Sequence, residues 1–288
     1  MSTSTLPVAL VDESEIAPTI RLLRQASRWR VWPGVAMALG FFAIAAIYIP
    51  LVWLAVMSFS ARPLSGIPYP LTLANFSLLL GDERWVPPLW TSIWMSALVA
   101  LCCMIVATFV GRAITRMRRP GPVLLLTLLP LFVPGLTMGA ALFIFLRILM
   151  GLTLGLWSIF IAQLVWALPF ALLLVLVVAS RFDIRLLEAA EDLGASPWRR
   201  FWEIEMPLLR PGVLGAGVFG FLLSFNELLR SLFVRGIETT MPIYNWAMAA
   251  SQQSQVPIIF ALATIILFVT LPVMGAFFWF LFVKLDRD

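Results

Sequence analysis

Long apolar runs constrain this chain more than any other feature of its sequence. Six stretches consist almost wholly of apolar side chains, near residues 31–59, 89–110, 123–146, 154–179, 213–229 and 258–283. A helix crosses the ~30 Å hydrocarbon layer with about 20 residues. Each run is therefore long enough to be a transmembrane helix.

The composition favours a helical membrane protein. Apolar residues make up 61% of the chain and charged residues 12%, whereas soluble domains carry about 25% charged residues. The runs do not alternate apolar and polar residues as barrel strands do, and a helix satisfies its own backbone groups in lipid. We therefore expect an all-α fold, a polytopic membrane bundle of about six transmembrane helices. Pro130 and Pro134, like Pro50, Pro169 and Pro272, fall within apolar runs, where we expect kinked or broken helices.

The same sequence argues against several site types. Cys102 and Cys103 are adjacent, without the spacing of metal ligands, and the chain has no histidine. Its net charge of +5 comes from arginines beside apolar runs, so we expect no nucleic acid as a partner. The only lysine is Lys284, which excludes a G-x-x-x-x-G-K-[ST] phosphate loop. We expect no metal, no cofactor bound by this chain and no enzymatic activity of its own.

Basic residues predict the orientation, because Lys and Arg are retained on the cytoplasmic side of a membrane. With six spans, 15 of the 20 Lys and Arg fall in the two termini and the loops on the same side as them. We therefore expect a multi-pass protein of the inner membrane with both termini in the cytoplasm.

The chain divides into a tail and a membrane domain. We expect residues 1–30 to form a cytoplasmic tail, in which apolar and arginine side chains alternate at helical spacing. This pattern predicts either an interfacial amphipathic helix or a solvated basic lead-in. Residues 31–288 form the transmembrane domain, with one strongly charged loop at 181–211.

The loop at 181–211 predicts two short helices. The first covers about 184–193 and ends at Gly194, where a left-handed residue can close a helix. Ser196 and Pro197 form an N-cap and first-turn pair that opens the second helix, which we expect to end before Pro207. The pair has apolar stripes and aromatic anchors, which suit docking into a groove of a partner protein. An amphipathic loop lying on the bilayer is the alternative.

The spacing within this loop resembles the signature of ABC importer permeases, EAA, three residues, G, nine residues, then I-x-L-P. Met206 in place of leucine is the one departure. The matching residues are Glu188, Ala189, Ala190, Gly194, Ile204 and Pro207. In that family the loop supplies the coupling helix, which sits in a cleft of a cytoplasmic ATPase subunit. The resemblance therefore implies the type I ABC importer permease fold and an ATPase-coupling role for these residues.

Several further phrases resemble permeases of the spermidine/putrescine type, among them the run from Phe182 to Ser196 and the run from Ala261 to Ile265. The resemblance covers the chain from about Arg30 onward. It implies a cytoplasmic ATPase dimer that binds ATP and Mg, a second related permease chain, a periplasmic solute-binding protein and surrounding membrane lipid. It also implies import of a polyamine or a related amine or amino-acid-like solute.

Asn226 and Glu227 are the candidates for the substrate pathway. An ionisable group costs about 3 kcal/mol at the centre of a membrane helix, so it is retained for a reason. Polyamine permeases carry acidic residues at the matching place, whereas this chain has Asn226 before Glu227. That departure leaves monoamines, amino acids, opine-like compounds and phosphonates open as solutes. Alternatively, Glu227 pairs with Arg230 one turn away.

Other functions fit the sequence less well than an importer does. An ion-coupled secondary carrier usually needs several intramembrane carboxylates or histidines, and it leaves the charged loop unexplained. A membrane enzyme lacks a nucleophile motif or metal cluster here. Importers of sulfate, iron or thiamine share the same loop and stay open. The sequence G-x-G-x-x-G at 215–220 lies inside an apolar run, so Gly212, Ala216 and Gly220 predict a helix-packing face.

Overall fold

The structure is a computed structural model that describes residues 33–251 and 255–279. The predictions for the tail at 1–30 lie outside the described residues. The chain divides into two compact units, Met1–Val56 and Met57–Asp288. The candidate sites described below lie in the second unit.

The described residues are mostly helical. The α-helices are α1 (Pro33–Ser58), α2 (Ala74–Leu80), α3 (Val86–Thr115), α4 (Gly121–Leu128), α5 (Gly135–Phe143), α6 (Leu156–Ala179), α7 (Arg185–Asp192), α8 (Pro197–Arg200), α9 (Met206–Phe225), α10 (Leu229–Val234), α11 (Met241–Ser251) and α12 (Val256–Trp279). The π-helical segment Ile144–Leu149 extends α5, and Phe201–Glu205 joins α8 to α9. The all-α prediction is confirmed.

Five helical stretches within the described residues are long and apolar enough to cross a membrane. They are Gly34–Ser58, Glu83–Thr115, Leu156–Ala179, Pro197–Phe225 and Val256–Ala276. A bent pair, Gly121–Phe132 and Gly135–Leu149, brings the number to 6 if it forms one span. This agrees with the expected six runs.

The third predicted run, 123–146, is broken rather than straight. Its two halves meet at 100°. Val133 adopts an extended conformation (φ −94°, ψ 123°), because the ring of Pro134 disfavours a helical residue before it. The expected distortion at Pro130 and Pro134 is therefore confirmed. In contrast, the helices that contain Pro50, Pro169 and Pro272 continue through the proline.

Helices α3, α6 and α9 form the core of the second unit. Small residues on α9 allow this close packing: Gly212, Ala216 and Gly220 are all buried. A Cβ added at Gly220 would lie 3.0 Å from the Cβ of Cys103 and 3.1 Å from the Cα of Ala100. The predicted helix-packing face is therefore confirmed, and it packs against α3 at Gly220 and against α6 at Gly212.

Buried hydrogen bonds hold the short helix α10 against α6. The Ser224 hydroxyl donates to Oε1 of Gln163 at 2.6 Å, and Nε2 of Gln163 donates to Oγ of Ser231 at 3.1 Å. The Ser158 hydroxyl donates to the carbonyl of Val234 at 2.6 Å. Since buried polar groups need partners, these bonds fix the connection at 226–228 and the following helix α10 relative to α6.

The glycine face generates a test of the packing. Gly220→Ala should lower the thermal unfolding midpoint of the purified protein, because overpacking against backbone costs about 1–3 kcal/mol. Gly215→Ala is the matched control, because the nearest neighbour of a Cβ added at Gly215 would be Leu174, at 3.8 Å. It should be neutral or raise the midpoint, because alanine is the better helix former. Equal effects of the two substitutions would contradict the packing described here.

Candidate functional site

The charged loop contains the two helix ends that the sequence predicts. Helix α7 is followed by Gly194 at φ 81°, a left-handed conformation. The amide of Ala195 donates to the carbonyl of Ala190 at 2.9 Å, which completes the helix end. At the start of α8, the Ser196 hydroxyl accepts from the amide of Arg199 at 3.3 Å, as an N-cap does. The predictions for Gly194 and Ser196 are confirmed.

The prediction that the second loop helix ends before Pro207 is wrong. Helix continues from Pro197 to Phe225 without a break. A proline ring normally meets the carbonyl four residues earlier, but the amide of Met206 donates to the carbonyl of Phe201, five residues earlier. This π-helical turn changes the register just before Pro207. The loop and the following span are therefore one helix.

The residues of the EAA pattern divide between the surface and the core. Glu188, Ala189 and Gly194 are exposed on and after α7, whereas Ile204 and Pro207 are partly buried. Ala190 is also partly buried. The exposed members are thus available to another protein, and the others attach the loop to the membrane helices.

Large apolar side chains are exposed in the same loop. We call this set the apolar group: Ile184, Leu186, Leu193, Trp198 and Trp202. Leu193 is 89% exposed and Trp198 is 71% exposed. They lie among the charged residues of the loop. Exposed apolar patches rimmed by charge mark interaction surfaces, and tryptophan is frequent at the energetic centres of interfaces.

A buried carboxylate joins this loop helix to α3. Glu205 is 4% exposed, and its carboxylate accepts from Nε of Arg112 at 2.7 Å and from Nη2 of Arg116 at 2.9 Å. The Arg112 guanidinium also lies 4.9 Å from the ring centroid of Phe201. Because charge-assisted bonds are the stronger ones, Glu205 holds the start of α9 to the end of α3.

Sequence reasoning did not find Glu205, because it occupies the unspecified position of the I-x-L-P pattern. The signal in the sequence that could have revealed this cluster is the pair Arg112 and Arg116, which lie one turn apart at the end of α3. A cavity of about 440 Å³ adjoins this cluster and is lined by Arg112, Arg116, Glu205 and Leu187, among others. Leu187 is the buried member of the α7 stripe.

Helices α7 and α8 are also connected to each other. The Arg200 guanidinium pairs with the Glu191 carboxylate and donates to the carbonyl of Leu187 at 3.5 Å. The two short helices therefore form one unit, which continues directly into α9.

The second candidate site lies at the other end of α9. A cavity of about 540 Å³ is lined by Asn226, Glu227, Arg230, Trp166 and neighbouring apolar residues. Glu227 is buried and accepts from Nη1 of Arg230 at 2.9 Å. The sequence alternative in which Glu227 pairs with Arg230 is therefore observed. Both side chains nevertheless line the cavity, so the pairing does not remove them from it.

Comparison with known proteins identifies the family. Residues 118–282 match the family described as "Binding-protein-dependent transport system inner membrane component". The chain belongs to this family. The spermidine/putrescine transport system permease protein PotC of Escherichia coli (strain K12) is 30% identical over 230 residues, which cover 79% of this chain and 86% of PotC. The putrescine transport system permease protein PotI of Escherichia coli (strain K12) is 26% identical over 272 residues, covering 91% of this chain and 93% of PotI.

A solved structure shows the same fold. It is the crystal structure of a bacterial alginate ABC transporter in complex with an alginate pentasaccharide-bound periplasmic protein, with a TM-score of 0.66 and 17% identity. The alignment covers 88% of this chain and 94% of the other. The family match and the permease relatives make the chain a multi-pass inner-membrane permease of the ABC importer type, which is a transport component and not an enzyme.

The Glu205 cluster generates a stability test. Glu205→Gln should lower the thermal unfolding midpoint, because a neutral amide cannot satisfy both guanidinium groups, at a cost of about 1–3 kcal/mol. Glu203→Gln is the matched control, because Glu203 pairs with Arg199 on the surface, where such pairs contribute about 0.5 kcal/mol or less. A Glu205→Gln midpoint no lower than that of the control would show that the cluster does not hold α9 to α3.

Proposed function

We propose that this chain is the membrane-spanning permease subunit of an ATP-driven importer that carries a small organic solute across the bacterial inner membrane. The solute is a polyamine or a related amine or amino-acid-like compound. The relatives PotC and PotI, which are named for spermidine and putrescine transport, support this class. The chain's membership of a binding-protein-dependent family supports import.

One structural observation carries the mechanism. A single helix of 29 residues, Pro197–Phe225, begins in the exposed charged loop and ends immediately before Asn226 and Glu227. At a rise of about 1.5 Å per residue this helix is roughly 40 Å long. A displacement applied to its first turn therefore reaches the cavity at its far end. The permease needs this connection, because ATP hydrolysis and solute passage occur at different places.

The partners follow from this assignment. A cytoplasmic ATPase dimer would hold ATP and Mg and receive the exposed residues Glu188, Ala189 and Gly194, together with the partly buried Ala190, in a cleft. Ile204 and Pro207 would carry the movement into α9. A second related permease chain would complete the pathway as a heterodimer, and a periplasmic solute-binding protein would deliver the solute. Both termini would lie in the cytoplasm, as the arginine distribution predicts.

The apolar group provides a test of ATPase docking. Trp198→Asp combined with Leu193→Asp should reduce co-purification of the ATPase at least about tenfold, because central apolar anchors dominate interface energetics. Point substitutions are preferable to a deletion, since residues 197–207 belong to the span-forming helix. Ile237→Asp is the control, because Ile237 is 94% exposed and lies outside the loop. Unchanged ATPase recovery with the double variant would refute docking through this loop.

The transport assignment has a separate test. The importer should be purified with its associated subunits and receptor, reconstituted in vesicles and supplied with labelled amines. We expect accumulation that requires ATP and stops with vanadate, because the solute is driven by the ATPase. Dissipation of the ion gradients across the vesicle membrane should leave this accumulation unchanged. Accumulation that persists without ATP and follows a proton or sodium gradient would instead establish a secondary carrier.

A further inference from the structure

The cavity beside Glu227 has no net charge among its described lining residues. Glu227 and Arg230 contribute one charge of each sign, Asn226 and Trp166 are polar or aromatic, and the other lining residues are leucines and Gly135. Glu227 and Arg230 are each 5% exposed. The sequence alone leaves Glu227 open either as a substrate-pathway carboxylate or as a partner of Arg230, and the fold pairs it with Arg230.

The Glu227 carboxylate is already satisfied at both oxygens. Oε1 accepts from the backbone amide of Arg230 at 2.7 Å, and Oε2 accepts from Nη1 of Arg230 at 2.9 Å. An incoming ammonium group would therefore have to displace the guanidinium, or share the carboxylate with it. A cation alone gains little from a carboxylate that is neutralised in this way.

The Arg230 guanidinium is held in place from two further sides. Its central carbon lies 3.9 Å from the ring centroid of Trp166, as in a cation–π contact. A Cβ at residue 135 would come within 3.2 Å of Nη1 of Arg230, so glycine at this position leaves room for the guanidinium. The Arg230 guanidinium is thus a fixed part of the cavity wall.

This charge arrangement discriminates between solute classes. A diamine would bring two positive charges into a cavity without an unpaired carboxylate, and each buried ion costs several kcal/mol when it is not compensated. A zwitterion would bring one charge of each sign. Its carboxylate can accept from the Arg230 guanidinium, which favours bidentate carboxylate contacts. Its ammonium can share the Glu227 carboxylate with Arg230, because the carboxylate of the same solute offsets the added positive charge, and it can also approach the ring of Trp166.

We propose that Arg230 and Trp166 are specificity-determining residues, which make this cavity select a zwitterionic, amino-acid-like solute over a diamine. The inference rests on the proposed importer function and narrows its solute class. Arg230 supplies the site for the carboxylate, Glu227 supplies the site for the ammonium, and Trp166 orients the guanidinium and offers its face to the ammonium.

The experiment uses the assembled importer in nanodiscs without its periplasmic receptor, so that the selectivity of the receptor does not enter. Equilibrium dialysis would measure binding of labelled γ-aminobutyrate and labelled putrescine, two flexible chains that differ in the group at one end. We expect the wild type to bind γ-aminobutyrate at least about tenfold more tightly. Arg230→Gln should reverse the preference, because it removes the carboxylate site and frees Glu227 for an ammonium.

Three further variants separate selectivity from folding. Arg230→Lys keeps the positive charge and should retain the preference for γ-aminobutyrate. The double variant Glu227→Gln with Arg230→Gln leaves no buried unpaired charge, so it should assemble normally and lose affinity for both probes. Arg235→Gln is the control, because Arg235 follows α10, donates to the hydroxyl of Thr239 and does not line this cavity. Its binding ratio should equal that of the wild type.

Several outcomes would overturn the inference: tighter binding of putrescine by the wild type, no binding of either probe, an unchanged ratio in Arg230→Gln, or full γ-aminobutyrate binding by the double variant. Uptake measured in vesicles that contain the receptor distinguishes failure of this inference from failure of the proposed function. If ATP-driven amine uptake is observed together with any of these binding results, only the proposed selectivity is refuted. Absence of ATP-driven uptake would refute the importer assignment itself.

Discussion

The π-helical turn before Pro207 is the constraint on which the other features of this permease depend. Without it, the ring of Pro207 would meet the carbonyl four residues earlier and kink or break the helix there. With it, the amide of Met206 reaches the carbonyl of Phe201 and the helix continues to Phe225. The second half of the exposed loop, the glycine face and part of the wall of the cavity beside Glu227 therefore belong to one continuous helix.

Two contacts determine what moves with this element. Near its start, Glu205 accepts hydrogen bonds from Arg112 and Arg116, so rotation of α9 alone would leave charged groups without partners. Further along, Gly220 lies directly against the backbone of α3. Because packed interiors respond as discrete bodies rather than deforming continuously, α3 and α9 should shift together. The Ser224–Gln163–Ser231 bonds then connect this movement to α6 and α10.

The sequence predicted those features that depend on local chemistry. Lipid provides no hydrogen-bond partners, so the apolar runs predicted the membrane helices. Gly194 and Ser196 predicted an end and a start of the two loop helices, because capping depends on the residues of a single turn. The 100° angle between the halves of the broken span was not predictable, because prolines mark a distortion but not its direction. The continuation through Pro207 was missed because local rules favour termination there. Glu205 was missed because its partners lie 93 and 89 residues away in the chain.

The fold itself does not select the solute. The alginate transporter shares the fold at 17% identity, so helix arrangement is compatible with chemically unrelated cargo, and selection must come from lining side chains. In this chain the position after Asn226 is acidic, as in an amine site, but its charge is compensated within one turn by Arg230. Because the compensating residue is Arg230 in the first turn of α10, three residues after Glu227, and not a mobile ion, the neutral balance persists whenever α10 is folded. A cavity of this kind disfavours a solute with a net positive charge and accommodates one whose own charges balance.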